Sequence, residues 1–178
     1  LWDLGRNSAG LYIRFRSNST QIRARWKSTS PRQYMPHMTD AGDSGLDLYI
    51  LTEKDGWRFA GSGFDWGGRD KNVKNKTIIA NMTPDMREYM LYLSMYNGIE
   101  ELELGIDEGA VIEAPAVESP KTERPVVMYG TSILQGGCTS RPGMAFTAIL
   151  GRKLDREVIN LGFSGNARLD YEIAEYIT

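Results

Sequence analysis

The 178-residue chain is 41% hydrophobic and 25% charged, with a net charge of -2. That is ordinary for a folded globular protein and supplies no long-range field to gather nucleic acid or an anionic membrane. No apolar run approaches the ~20 residues of a membrane-spanning helix, no basic-then-apolar leader opens the chain, and Cys138, the lone cysteine, leaves no disulfide within it. The first residue is Leu1 rather than Met, which points to a processed or excised piece.

Residues 11 to about 112 read as β structure. In LYIRFR, Leu11, Ile13 and Phe15 point one way and Tyr12, Arg14 and Arg16 the other, the period of two that marks a strand with one wet face. QIRARWK repeats the pattern, with Ile22, Ala24 and Trp26 opposite Arg23, Arg25 and Lys27, and the polar SNST between the two runs predicts a hairpin. The basic residues from Arg14 to Lys27 alternate with apolar ones, so they read as a solvated strand face rather than a nucleic-acid patch. GLDLYIL, WRFAG after an Asp55-Gly56 turn, and KTIIANM follow. YMLYLSMY and IEELELGI come next, and Asn97-Gly98 between them predicts another hairpin. Short strands punctuated by turn residues predict an antiparallel β-sandwich over residues 1–112.

Residues 113–125, EAPAVESPKTERP, hold three of the seven prolines. Proline fixes φ and lacks an N–H, so this stretch predicts an extended linker. Beyond it the period changes. VVMY is a buried strand, and RPGMAFTAILGRKLD a helix with Phe146, Ile149, Leu150 and Leu154 on one stripe and Pro142 near its first turn. EVINLG is a second strand, and LDYEIAEYI a second helix carrying Leu169, Ile173 and Ile177 at spacing four. Strands alternating with helices predict a parallel sheet, here the first portion of an α/β three-layer domain over residues 126–178.

Ligands of open α/β sheets bind beyond the carboxyl ends of the strands. Ser132 lies just past the first strand, where a helix could begin, close to backbone N–H groups that could stabilise an oxyanion. The second strand ends equivalently, in Asn160-Leu161-Gly162-Phe163-Ser164-Gly165. On local physics alone Ser132 is either a nucleophile or a helix cap. A phosphate-binding loop would need Gly-Lys-Ser/Thr where Gly136-Gly137-Cys138 stands, and a nucleophile elbow would need glycine at Leu134.

PVVMYGTSILQGG followed by NLGFSGNA resembles the first two sequence blocks of the SGNH (GDSL-type) esterase and lipase family. Gly130-Thr131-Ser132-Ile133 matches the first block and Gly165 the glycine of the second. DSGLDLYI, residues 43 to 50, is similar to the Gly-x-Asp-Leu-Tyr signature of a β-rich N-terminal domain that precedes some bacterial SGNH hydrolases. The resemblance implies a jelly-roll-like sandwich ahead of the hydrolase portion. It makes Ser132 the nucleophile, with its own N–H and that of Gly165 as oxyanion donors. Thr131 and Asn166 would contact substrate, and neither cofactor nor metal is implied. The family's third oxyanion donor, an Asn, and its His base lie in two later blocks that do not occur in this chain. The single His37 sits in the β half, where a structural or surface role is expected, and no nearby His activates Cys138, which reads as a small buried or edge residue.

The expectation is thus the N-terminal part of a secreted or periplasmic serine esterase acting on O-acetyl esters of carbohydrates. It would be inactive alone, with the remaining C-terminal part of the hydrolase domain as its missing partner. The alternative is a non-catalytic glycan-binding or scaffolding module, for which Trp57, Trp66, Tyr92 and Tyr96 could stack on sugars. Asp47 and Tyr49 read as an Asp in a bonded network beside a core tyrosine.

Overall fold

A computed structural model describes residues 2–30, 35–64 and 72–177. Residue alternation decides the β elements. β1 (Tyr12–Ser17) and β2 (Ile22–Ser28) are followed by β3 (Leu46–Thr52), β4 (Gly56–Gly63), β5 (Val73–Ile79), β6 (Arg87–Tyr92), β7 (Ile99–Gly105) and the two-residue β8 (Ile112–Glu113). In β2, Ile22, Ala24 and Trp26 are buried while Arg23 is exposed, as a half-wet strand requires. Two antiparallel sheets result, ordered β4-β3-β6-β1-β8 and β5-β2-β7. Between them lies an apolar core of Phe15, Ile22, Ala24, Trp26, Leu46, Leu48, Ile78, Tyr89 and Leu91.

Two expected hairpins are sheet-to-sheet crossings instead. β1 and β2 lie in different sheets, as do β6 and β7. At the first crossing the Asp107 carboxylate collects the Ser19 and Thr20 hydroxyls, the Thr20 N–H and the Gln21 amide at 2.6–3.0 Å. At the second, the buried Asn97 accepts from the Thr29 hydroxyl at 3.0 Å and donates to Ser30 O at 3.1 Å. Side-chain bonds across the gap give these polar stretches a use that a hairpin would not. Asp55-Gly56 does join a paired hairpin, β3 with β4.

The basic side chains of β2 meet glutamates on β7, with Arg25 and Glu103 at 2.8 Å and Lys27 and Glu100 at 2.8 Å. The face of β1 expected to be wet is covered at Tyr12 and Arg14, while Arg16 stays at the surface, paired with Glu113. Tyr12 packs with Tyr49, Trp57, Met90, Tyr92, Met95, Ala145 and Ala148, and Arg14 stacks on Trp57 at 4.8 Å while pairing with Glu88 at 3.1 Å. The five-stranded sheet therefore has two buried faces, one against the second sheet and one against residues that follow 130.

Those residues form β9 (Lys121–Gly130), α3 (Ser132–Gln135), a 3-10 turn (Pro142–Met144), α4 (Phe146–Leu154), β10 (Arg156–Gly162) and α5 (Tyr171–Ile177). Two short helices, α1 (Trp2–Gly5) and α2 (Asp40–Ser44), lie earlier in the chain. β9 and β10 are parallel, with Gly130 opposite Gly162. α4 buries Thr147, Ala148 and Gly151, while Phe146 and Leu154 stand exposed. Small residues win that face because the helix lies close to its neighbours: a Cβ added at Gly151 would meet Arg156 O at 3.2 Å. Leu169 falls outside α5, with φ of 59° and its side chain in solvent.

The segment before β9 is pinned at Ser119. Its hydroxyl accepts from Trp57 Nε1 at 3.1 Å and donates to Asp155, while its carbonyl accepts from Arg14.

Candidate active site

Ser132 is the first residue of α3, half-buried, two residues past the end of β9. Thr131 occupies the N-cap position, is exposed, and makes no capping bond. A cap role for Ser132 therefore has no place here. α3 has only four residues, so its dipole is small and any oxyanion stabilisation comes from individual N–H groups. The Ser132 hydroxyl and N–H have no acceptor among the described residues, whereas its carbonyl accepts from Gly137 N at 2.8 Å, Gly136 N at 3.2 Å and the Tyr96 hydroxyl at 3.2 Å. The Ser132 turn is held from behind by its carbonyl.

The loop after β10 sits beside it. Phe163 N donates to Gly130 O at 2.8 Å, which joins the two strand ends directly. Phe163, Ser164, Gly165 and Asn166 form a turn closed by Asn166 N to Phe163 O at 2.9 Å, with φ of 71° at Gly165. A positive φ at the third turn position is the type II arrangement, which glycine adopts without steric cost. Turn type sets the direction of the middle peptide, the one carrying the Gly165 N–H. That N–H has no acceptor among the described residues.

Gln135, which the sequence reading passed over, ties these loops together. It is 0% exposed. Its Nε2 donates to Met95 O at 3.0 Å and its Oε1 accepts from Ser164 N at 3.0 Å. Gly162 lets α3 sit on the end of β10: a Cβ there would lie 2.2 Å from Gln135 N. Asn160 reaches across as well, donating to Leu134 O at 3.1 Å and to the Thr147 hydroxyl at 3.1 Å.

Asp47 of the GLDLY stretch, 0% exposed, faces the second buried surface of its sheet. It accepts from Gly143 N at 2.9 Å and Ser62 Oγ at 3.1 Å, and its carboxylate lies 3.2 Å from Arg141 Nε. Burial pushes its carboxyl up to about 6, against the opposing pull of Arg141, Ser62, Gly143 and Arg152. Arg152 lies over Tyr49 at 4.1 Å and Tyr92 at 5.3 Å, and donates to Gly143 O at 2.7 Å. The Tyr92 phenol, deeply buried, is pushed up to about 12. Asp47 therefore fastens the 3-10 turn that leads from the Ser132 segment into α4.

Of the aromatic groups considered as sugar platforms, Trp57 and Tyr92 are buried and Tyr96 is turned to the Ser132 carbonyl; Trp66 lies outside the described residues. His37 is exposed and no bond among the described residues links it to Ser132, although Thr39, two residues on, donates to Ser140 O at 2.6 Å. Cys138, expected in a buried or edge position, is exposed with φ of 65°.

Residues 1–112 match the GxDLY family, described as the N-terminus of SGNH-hydrolase-type esterases. Residues 123–178 match the GDSL-like lipase/acylhydrolase family. A crystal structure described as a GDSL-like lipase from Bacteroides ovatus is 38% identical, with a TM-score of 0.88 over 98% of this chain and 49% of its own. The salicylyl-acyltransferase SsfX3 of a tetracycline biosynthetic pathway shares the fold, at 16% identity and a TM-score of 0.70, over 96% of this chain and 44% of its own. The chain thus spans about half the length of these solved relatives. No curated protein matches it. With a GxDLY domain over its first part and a GDSL-like region after it, the chain belongs to the SGNH-type, GDSL-like esterase and lipase family.

Proposed function

We propose that Ser132 is the nucleophile of a serine esterase whose substrates are O-acetyl esters of carbohydrates. The observation that carries the proposal is the juxtaposition of two paired strand ends. One ends in a half-buried serine with an unbonded hydroxyl, the other in a glycine turn with an unbonded N–H. Ser132 Oγ attacks the ester carbonyl, its proton passes to a general base, and the N–H groups of Ser132 and Gly165 receive the oxyanion. The alcohol leaves with a proton, and water then releases the acyl group as a carboxylic acid. Thr131 and Asn166 contact the substrate.

In this proposal residues 1–112 are a jelly-roll-like accessory sandwich, 113–125 the connection, whose last five residues already run in β9 rather than in a free linker, and 126–178 the first portion of the hydrolase domain. The base and a further oxyanion donor are supplied from outside these 178 residues, in a secreted or periplasmic enzyme. An unassisted serine hydroxyl stays protonated near neutral pH, so the 178-residue chain alone should be nearly inert toward p-nitrophenyl acetate. The enzyme that contains it should release acetate from acetylated oligosaccharides, and Ser132→Ala should abolish that release. Robust turnover by the 178-residue chain alone would mean that His37 or a second copy completes the site. Acetate release that survives Ser132→Ala would end the proposal.

A further inference from the structure

We propose that Gln135 is a positioning residue for the oxyanion donor at Gly165, and that it takes its own position from the Met95–Tyr96 corner of the sandwich. The proposal rests on the esterase reading of Ser132 given above and adds the group that places the second donor.

The geometry leaves little freedom. Met95 O can only accept and Ser164 N–H can only donate, so the Gln135 amide has one orientation, Nε2 toward the sandwich and Oε1 toward the loop, at 3.0 Å each. Its side chain is 0% exposed, so no water stands ready to replace either bond. The Ser164 N–H it holds belongs to the peptide that enters the Phe163–Asn166 turn, and the next N–H along the chain is that of Gly165. Anchoring the first of these two amides fixes where the turn starts, and so the position of the next N–H, while the φ of 71° at Gly165 sets that N–H's direction.

The sandwich side of the contact is equally fixed. Met95 is 1% exposed, and the Thr139 hydroxyl lies 3.3 Å from its sulfur. A Cβ at Gly136 would come within 2.4 Å of that sulfur. The adjacent Tyr96 donates to Ser132 O at 3.2 Å, and the Ser164 hydroxyl partly counteracts the upward push of burial on its phenol. Two consecutive residues of the sandwich therefore bear on both segments that carry the oxyanion donors, one through Gln135 and one directly. This arrangement makes the sandwich a template for the site.

The test uses two readouts. In the 178-residue chain, amide hydrogen exchange compares wild type with Gln135→Met, which keeps the side-chain length and loses both bonds. The Ser164 N–H should lose at least about tenfold protection while the amides of β9 and β10 keep theirs. In the enzyme that contains the chain, Gln135→Met should lower kcat by about 10²-fold, the scale of one oxyanion donor, with KM changed by less than about threefold. Affinity for a boronic acid that forms a tetrahedral adduct on Ser132 should fall in parallel. Tyr96→Phe, which deletes one hydroxyl and keeps the ring, provides a second variant if Gln135→Met does not fold. It should lower kcat by a smaller factor with KM again unchanged. Unchanged Ser164 exchange, or kcat unchanged in a folded variant of an active enzyme, overturns the inference. A wild-type enzyme without esterase activity would instead sink the esterase reading, and the exchange result would still decide whether Gln135 holds the loop.

Discussion

The two faces of the five-stranded sheet are built from alternate residues of the same strands, yet they hold by different physics. Leu46, Leu48, Tyr89 and Leu91 face the second sheet, in a core built chiefly of apolar side chains, with the buried Lys74 over the Trp26 ring at 6.0 Å. Asp47, Tyr49, Met90 and Tyr92 face the hydrolase portion, where Arg14, Arg141 and Arg152 stack on Trp57, Phe59 and Tyr49 at 4.0–4.8 Å. Apolar burial is non-directional and tolerates small slips. Guanidinium stacking and directed hydrogen bonds do not, because they fix both distance and angle. The first face gives the sandwich its stability, and the second gives the loops that carry Ser132 and Gly165 a defined seat.

Leu91→Ala should produce the largest stability change, about 2–5 kcal/mol for a fully buried leucine, read from urea denaturation. It should leave Ser164 amide exchange unaltered, since Leu91 faces away from the junction; loss of protection there would erase the distinction between the faces. Asp47 tests the other face through pH. Its carboxyl titrates at about 6 in the folded protein against an ordinary 3.8, so the folded state binds the extra proton between those values. Its contribution to stability is therefore fully present below about pH 4 and is lost as pH rises through about 6. The stability advantage of wild type over Asp47→Asn should shrink by on the order of 2–3 kcal/mol between about pH 4 and pH 7, and a gap that widens over that range would contradict the burial argument. Gly162→Ala would push a methyl into the α3 backbone and should cost about 1–3 kcal/mol, together with esterase rate. Smallest of all, Arg25→Gln breaks a solvent-facing pair with Glu103 and should cost under about 1 kcal/mol in thermal or urea melts.

Much of this was legible along the chain. Period-two alternation marks β1, β2 and β7, and the change of period after residue 125 marks the strand–helix pattern that carries Ser132 and Gly165. Alternation shows that one face of a strand is buried, but it is silent on what covers the other. Tyr12 and Arg14 therefore read as wet when they lie in the junction. SNST and Asn97-Gly98 have hairpin composition, and only the partners of Asp107 and Asn97 reveal crossings between sheets. On α4 the large apolar residues suggested the buried stripe, whereas close packing selected Ala148 and Gly151. Gln135 stands in an apolar, glycine-rich stretch, where a polar residue can as easily face solvent; its burial becomes legible only with Met95 O and Ser164 N in place.

The most direct measurement is covalent labelling of the enzyme that contains this chain with a fluorophosphonate, followed by peptide mass analysis. One phosphonyl group per molecule is expected on the peptide that contains Ser132, lost in Ser132→Ala together with ester hydrolysis. An adduct on a different residue, or hydrolysis that persists in Ser132→Ala, would contradict this expectation.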